Sequence, residues 1–337
     1  MNLVRAEWRR FFARRFIRIM LGLIAILLAV IAIGTAHSSH RITPAVRAQA
    51  QQQVDDDIAR MQQQAADCEQ AQNSTPIPPQ FQIPPGMTCA DMFGETPQVQ
   101  WFLPNTWTFA SQGQDAIVIF GGLLALFGFA AGASFIGAEW HSGGMMNLLL
   151  WRPRRLAVLS QKLGALLLSV LASGVVLGAL WALMIWGIVS TRGQMGHVTS
   201  GEWQSLGLTA ARAVTLALAA TVVGFAIASI GRHTATALGV AIAYVIVVEA
   251  GGQVFFRLLN IDRPERFLLS RYIAAWLYKK QLYAGPPVCT NVGPGMMTCG
   301  DGGEWAMRMG SAAEVVGILT AALLAWAYLS FRRRDIT

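Results

Sequence analysis

The sequence predicts an all-α membrane protein with six transmembrane helices, an N-terminal interfacial helix and extracytoplasmic helical loops. Three observations carry that prediction. Apolar residues make up 54% of 337 positions and charged residues only 13%, a balance foreign to soluble domains. Residues 116–138 and 163–191 hold no charged side chain, and each exceeds the roughly 20 residues that span hydrocarbon at about 1.5 Å per residue. The arginines cluster beside apolar runs, so the net charge of +8 reads as a topology signal and not as a nucleic-acid footprint.

Residues 1–15 set five arginines among Trp8, Phe11 and Phe12. Val4, Trp8 and Phe11/Phe12 share one helical face, which predicts a cytoplasmic interfacial helix. Span one follows at 16–36. Its Gly34-Thr35-Ala36 end imitates a cleavage site, but the apolar run is too long for a signal-peptide core. The extracytoplasmic segment 37–115 begins with a polar stretch in which Val54, Ile58, Met61, Ala65 and Cys68 recur at helical spacing. So thin a stripe predicts a helix docked on something. Prolines from Pro76 to Pro85 then impose an extended path, and Trp101, Trp107 and Phe109 lead back to the membrane as interfacial anchors.

Span two covers 116–138, a cytoplasmic loop 139–162, span three 163–191 and span four 206–230, interrupted by Arg212. A tight turn at Arg232-His233 precedes span five at 234–256, which contains Glu249. In the second extracytoplasmic segment, 257–310, Asp262, Pro264 and Glu265 read as a capped helix start. Phe267, Leu268, Tyr272, Ala275, Trp276 and Tyr283 alternate there with Arg266, Arg271, Lys279 and Lys280. That pattern predicts an amphipathic helix ended by Gly285-Pro286-Pro287. Span six at 311–331 and a tail at 332–337 complete the chain. Cations at the N-terminus, in 152–162 and in 332–334 place both termini in the cytoplasm and the protein, multi-pass, in the cell membrane among its lipids.

The loop reads EWHSGGMMNLLLWRPRRLAVLSQK from Glu139 to Lys162. Gly143 and Gly144 permit a sharp turn, Met145–Trp151 predict one or two helical turns, and Pro153 ends them. Glu139, Gly143, Leu148-Leu149, Pro153, the Arg154-Arg155 pair and Lys162 resemble the first cytoplasmic loop of ABC-2-type exporter permeases. Gly144 stands where that family commonly has Thr, and the spacing from Pro153 to Lys162 is one residue tighter. The resemblance implies a coupling helix seated on a separate ATP-binding subunit, with Glu139, Gly143, Met145, Leu148, Leu149, Pro153, Arg154 and Arg155 as the coupling residues. It also implies a second permease copy or a paralogue as partner. ATP and Mg would be held by the partner ATPase and no cofactor by this chain. A basic loop that only obeys topology rules is the plainer reading.

No GxxxxGK[ST] phosphate loop occurs, so the chain supplies no P-loop nucleotide chemistry. HExxH and GxSxG are absent too, which leaves Ser134 and His141 as a poor hydrolase pair. A metal site is not predicted. The soft ligands His37, His40, Met87, Met92, Met296 and Met297 lie near cysteines better used in disulfides. Cys68–Cys89 and Cys289–Cys299 are the expected disulfides, because the local pairing closes the shortest loops on an oxidising face; cross-pairing of the two outer segments, whose Cys stretches resemble each other, is the alternative. Arg212 and Glu249 fall at matching depths of roughly 9 and 10 Å on consecutive antiparallel spans. An intramembrane ion pair is expected of them, with independent snorkelling as the alternative. The function expected is the permease subunit of an ATP-driven exporter. The alternative is a non-transporting scaffold or sensor whose cap binds a partner.

Overall fold

A computed structural model describes residues 2–72, 88–89, 96–151, 155–259, 261, 263–285, 288–293, 296–300 and 303–333. Six helices in it are long and apolar enough to cross a membrane. In chain order the helices begin with α1 (Asn2–Ala13), α2 (Arg15–Ser38), α3 (Pro44–Gln72) and α4 (Val99–Phe102). They continue with α5 (Phe109–His141), α6 (Gly144–Trp151), α7 (Arg155–Thr191) and α8 (Ser200–Gly231). α9 (Thr234–Tyr244) passes through a π-helical turn, Val245–Ala250, into α10 (Gly251–Leu258). A 3₁₀ turn (Pro264–Phe267), α11 (Leu269–Tyr278), four short strands and α12 (Met309–Arg333) follow. The spans are α2, α5, α7, α8, α9–α10 and α12.

The helices divide their apolar residues in the manner of a membrane bundle. On α2, Ile17, Ile24 and Leu28 are buried while Ile19, Leu23, Ile26 and Val30 are exposed. An apolar face without a protein partner is what lipid demands, since tails solvate it as well as Leu does. α8 packs against α5, α9, α11 and α12. Its contact with α5 is made by small residues. A Cβ on Gly132 would lie 2.3 Å from the Thr221 carbonyl oxygen, and one on Gly224 would lie 2.2 Å from that of Phe129. Only glycine admits so close a backbone approach.

The chain forms two compact units. One comprises Met1–Ile31, Ala110–Ile185 and His197–Thr337, and the other Ala32–Phe109 with Trp186–Gly196. Within the second unit, Val54 and Cys68 of α3 are buried, and the Cys68–Cys89 disulfide ties the end of the helix to its return segment. The Ser39 hydroxyl accepts from the Trp107 amide at 2.9 Å and donates to the Arg192 carbonyl at 3.0 Å. The proline-rich path of residues 76–85 lies outside the described residues.

In the first unit the segment after α10 departs from the expected amphipathic helix. α11 stops at Tyr278, because Lys279 adopts a left-handed φ of +69° that no helix continues. The chain then runs as strand β1 (Lys280–Ala284), paired antiparallel with β4 (Glu304–Arg308). Tyr283 therefore lies on a strand and not on the helix. Between them β2 (Val288–Gly293) and β3 (Met296–Gly300) form a hairpin in which Cys289 faces Cys299 and is bonded to it. The expected cap residue Asp262 lies outside the described residues. Arg263 occupies the N-cap position, and Pro264 opens the 3₁₀ turn.

Candidate functional site

The loop between α5 and α7 is built as the sequence suggests and is held in a way the sequence conceals. Gly143 turns the chain with φ of +68°, a conformation that penalises any side chain but costs glycine little. α6 then runs eight residues, from Gly144 to Trp151. Met145 is fully buried and Leu150 is 83% exposed, so α6 has one anchored and one free face. Pro153, Arg154 and the side chains of Leu148 and Leu149 lie outside the described residues. Arg155 opens α7.

Glu139 does not present its carboxylate outward. Its Oε2 pairs with Lys162 Nζ at 2.7 Å, and its Oε1 accepts from Arg14 Nη2 at 3.1 Å. Lys162 also donates to Glu7 Oε1 at 3.1 Å. The Lys162 and Glu7 side chains are only 2% and 1% exposed. Arg14 spends its other nitrogen on the Ser134 and Phe135 carbonyls, at 3.1 and 2.9 Å, with its guanidinium 4.7 Å from the Phe135 ring centre. Glu7, Glu139, Arg14 and Lys162 thus form a neutral, nearly dry quartet. It joins α1 to the end of α5 and the start of α7, the two helices from which α6 hangs. Burial pulls the Arg14 pKa below its ordinary value, and the Glu139 and Glu7 carboxylates oppose that shift.

The quartet also corrects the expected face of α1. Glu7 and Phe11 are buried, while Trp8 is 36% exposed. Residues 7, 11 and 14 follow the spacing of one helical face, so α1 and Arg14, which follows it, dock on the bundle through an acid, a ring and a cation. Glu7, Arg14 and Lys162 were absent from the coupling residues read off the sequence. A signal existed: Glu7 is the sole acid before Asp55, and Lys162 the sole lysine before Lys279.

Arg212 and Glu249 do not pair, contrary to the expectation. Arg212 donates to the Leu277 and Trp276 carbonyls at 2.7 and 3.3 Å and to Thr209 Oγ1 at 3.2 Å. Glu249 accepts from the Ser270 amide at 2.9 Å, the Ser270 hydroxyl at 2.6 Å and Tyr244 at 3.0 Å. The two charges serve opposite ends of α11. The carboxylate meets free amides at its N-terminus and the guanidinium meets free carbonyls at its C-terminus, each complementing the helix dipole. The two residues lie on consecutive antiparallel helices, but α11 lies between them as a third partner.

Ser134 and His141 form no catalytic pair. The Ser134 side chain is buried, and the His141 ring meets His233 edge-on at 5.1 Å. The four cysteines are consumed in disulfides, and no metal-binding group of three His, Cys, Asp or Glu assembles among the described residues.

The fold therefore defines a multi-pass membrane protein with a short helix slung between two spans. The sequence pattern of the ABC-2 family transporter proteins matches residues 1–336, and the chain belongs to that family. No curated protein and no solved structure matches it.

Proposed function

We propose that this chain is the membrane subunit of an ATP-driven exporter and that residues 139–162 couple it to a separate ATP-binding subunit. The observation that supports this most is the mounting of α6. Its free face offers Leu150, while its two flanking helices are clamped to each other and to α1 by Lys162. A push on α6 is then passed to α5, α7 and α1 as one body. Glu139 acts here as a positioning residue inside the clamp and not as a contact to the partner. ATP and Mg belong to that partner, which closes on nucleotide and rocks the mounted helix, biasing the permease between its two states.

A second copy of the permease, or a paralogue, fits the span α9–α10. Val240, Ile242, Val245, Ile246 and Val247 are all exposed around it, more apolar surface than one lipid-facing stripe requires. Both termini and α6 are assigned to the cytoplasm.

Co-purification with the ATP-binding subunit, together with ATP hydrolysis by the complex, tests the reading. Leu150→Asp is expected to release the subunit with all six spans inserted. Glu139→Ala is expected to keep the subunit bound and lower transport per ATP hydrolysed. Unchanged binding and transport in both variants refutes the coupling role.

A further inference from the structure

We propose that the arginine-lined aromatic corner formed by Arg263, Arg266, Arg271, Tyr283 and Trp305 is a binding site for a phosphate group. The β1–β4 register sets Tyr283 opposite Trp305, with their rings 5.1 Å apart and 32° from parallel. Arg263 and Arg266 stand 5.8 and 5.1 Å from the Trp305 ring centre, and Arg271 stands 5.7 Å from that of Tyr283. Three cations thus converge on one small platform. Asp262 and Glu265 adjoin Arg263 and Arg266 in sequence; Asp262 lies outside the described residues, and among those described no carboxylate forms an ion pair with any of the three.

The hydrogen-bond inventory points the same way. Among the described residues, Arg271 Nε, the Tyr283 hydroxyl and Trp305 Nε1 are buried without a well-aligned acceptor, the phenol having the Arg271 guanidinium and the Glu265 carboxylate as its charged neighbours. Arg Nε and Trp Nε1 can only donate, and the hydroxyl can donate. Among the described residues, three donors short of acceptors stand beside three cations that form no ion pair, with Glu265 the one carboxylate acting on the phenol. Leaving such groups unmade is costly. A phosphate supplies several acceptor oxygens and the missing charge, and the guanidinium fork matches its geometry. Arg263 is also held at φ of +62°. That strained conformation for a residue with a side chain persists where the surroundings or a ligand reward it.

Phosphate reaches such a corner either as a lipid headgroup or as a free or soluble phosphate. Phe267, which follows Arg266 in the 3₁₀ turn, is 56% exposed, which favours the lipid. The proposal does not depend on coupling to an ATPase.

The test uses the full chain purified in a neutral maltoside detergent. One arm counts phosphatidylglycerol molecules retained in native mass spectrometry, with diacylglycerol as the phosphate-free control. The other titrates inorganic phosphate against thermal unfolding, with sodium chloride at matched ionic strength. Saturable binding is expected in at least one arm, about tenfold weaker in Arg271→Gln, as for loss of a hydrogen bond to a charged group. Tyr283→Phe removes one hydroxyl without a charge, and it carries the test if the arginine variant does not fold. Lys280→Gln, an exposed cation outside the corner, is expected to bind like wild type. Lipid binding alone assigns a headgroup site, and inorganic phosphate alone assigns a soluble ligand. Absence of binding in both arms overturns the proposal, as does an equal loss in Lys280→Gln and Arg271→Gln.

Discussion

Lys162→Met is the most informative single change the structure offers. In the native quartet two carboxylates, Glu7 and Glu139, face two cations, Lys162 and Arg14. Methionine preserves the apolar stem and deletes the charge, which leaves two acids with Arg14, a half-buried cation. Arg10 cannot make up the deficit: it touches Glu7 at 3.3 Å, but its side chain is 62% exposed, and such pairs contribute about 0–1 kcal/mol. Breaking a buried pair from one side costs about 3–5 kcal/mol, and that range is expected for Lys162→Met. Glu7→Gln keeps the shape and leaves Lys162 its contact to Glu139. It is expected to cost about 1–3 kcal/mol, the penalty of unmatching one buried charged hydrogen bond. The double variant is neutral again, with Glu139 and Arg14 still paired. It is expected to recover about 1–3 kcal/mol relative to the sum of the singles, as contacting residues do. Reversible unfolding in mixed detergent, followed by tryptophan fluorescence, measures all four corners of the cycle. Additivity within about 0.5 kcal/mol would show that Lys162 and Glu7 do not act as a unit, and the clamp would lose its basis.

Three further outcomes are expected. Arg212→Met and Glu249→Gln should each destabilise by about 1.5–3 kcal/mol and combine additively in the same assay. They cap opposite ends of a ten-residue helix about 15 Å long, and coupling above about 0.5 kcal/mol would return them to a direct pair. Gly132→Ala should cost about 1–3 kcal/mol by overpacking, since its Cβ meets backbone on α8. Gly22→Ala, with nothing within 4 Å of the new carbon, should be tolerated. Tyr278 donates to Asp115 at 2.8 Å, and burial followed by that acid raises its pKa to about 12. The neutral phenol is the favoured form, so its contribution is complete below the ordinary value near 10 and is lost as pH rises through about 12. Absorbance at 295 nm should show late ionisation that Tyr278→Phe removes, and complete ionisation of all phenols by about pH 11 would contradict it.

The six spans were legible because each is a long uncharged run, and nothing but lipid or a bundle interior tolerates that. Gly143 was legible because a turn that needs positive φ leaves few alternatives to glycine. The disulfides were legible from loop length alone. Strand β1 was not, since alternation of aromatics with Arg and Lys over 266–283 satisfies both periods. The break is made by one residue, Lys279, whose left-handed backbone has no compositional mark. The helices also extend beyond the expected spans, with α7 beginning at Arg155, eight residues ahead of residue 163. Charged residues beside the apolar core do not end a helix whose backbone bonds continue.

The charges were the least legible feature, and the reason is physical. A charge near a membrane span satisfies the same topology rule whether it faces headgroups, a partner or another side chain. Sequence depth then selects candidates without choosing among them. Arg212 and Glu249 matched in depth and proved to hold the two ends of α11. Lys162 read as one more cation of the inward cluster and proved to be buried between two acids. Rarity discriminated better than position in this chain. Among 26 basic residues, the one lysine in the first 278 positions is the most deeply buried of those described. Lysine's compact ammonium has three donors and fits between Glu7 and Glu139 on one flexible stem, where a planar guanidinium would need a fork-shaped space. The choice of lysine over arginine at position 162 therefore follows from the site, and Lys162→Arg should disturb the clamp although it conserves the charge.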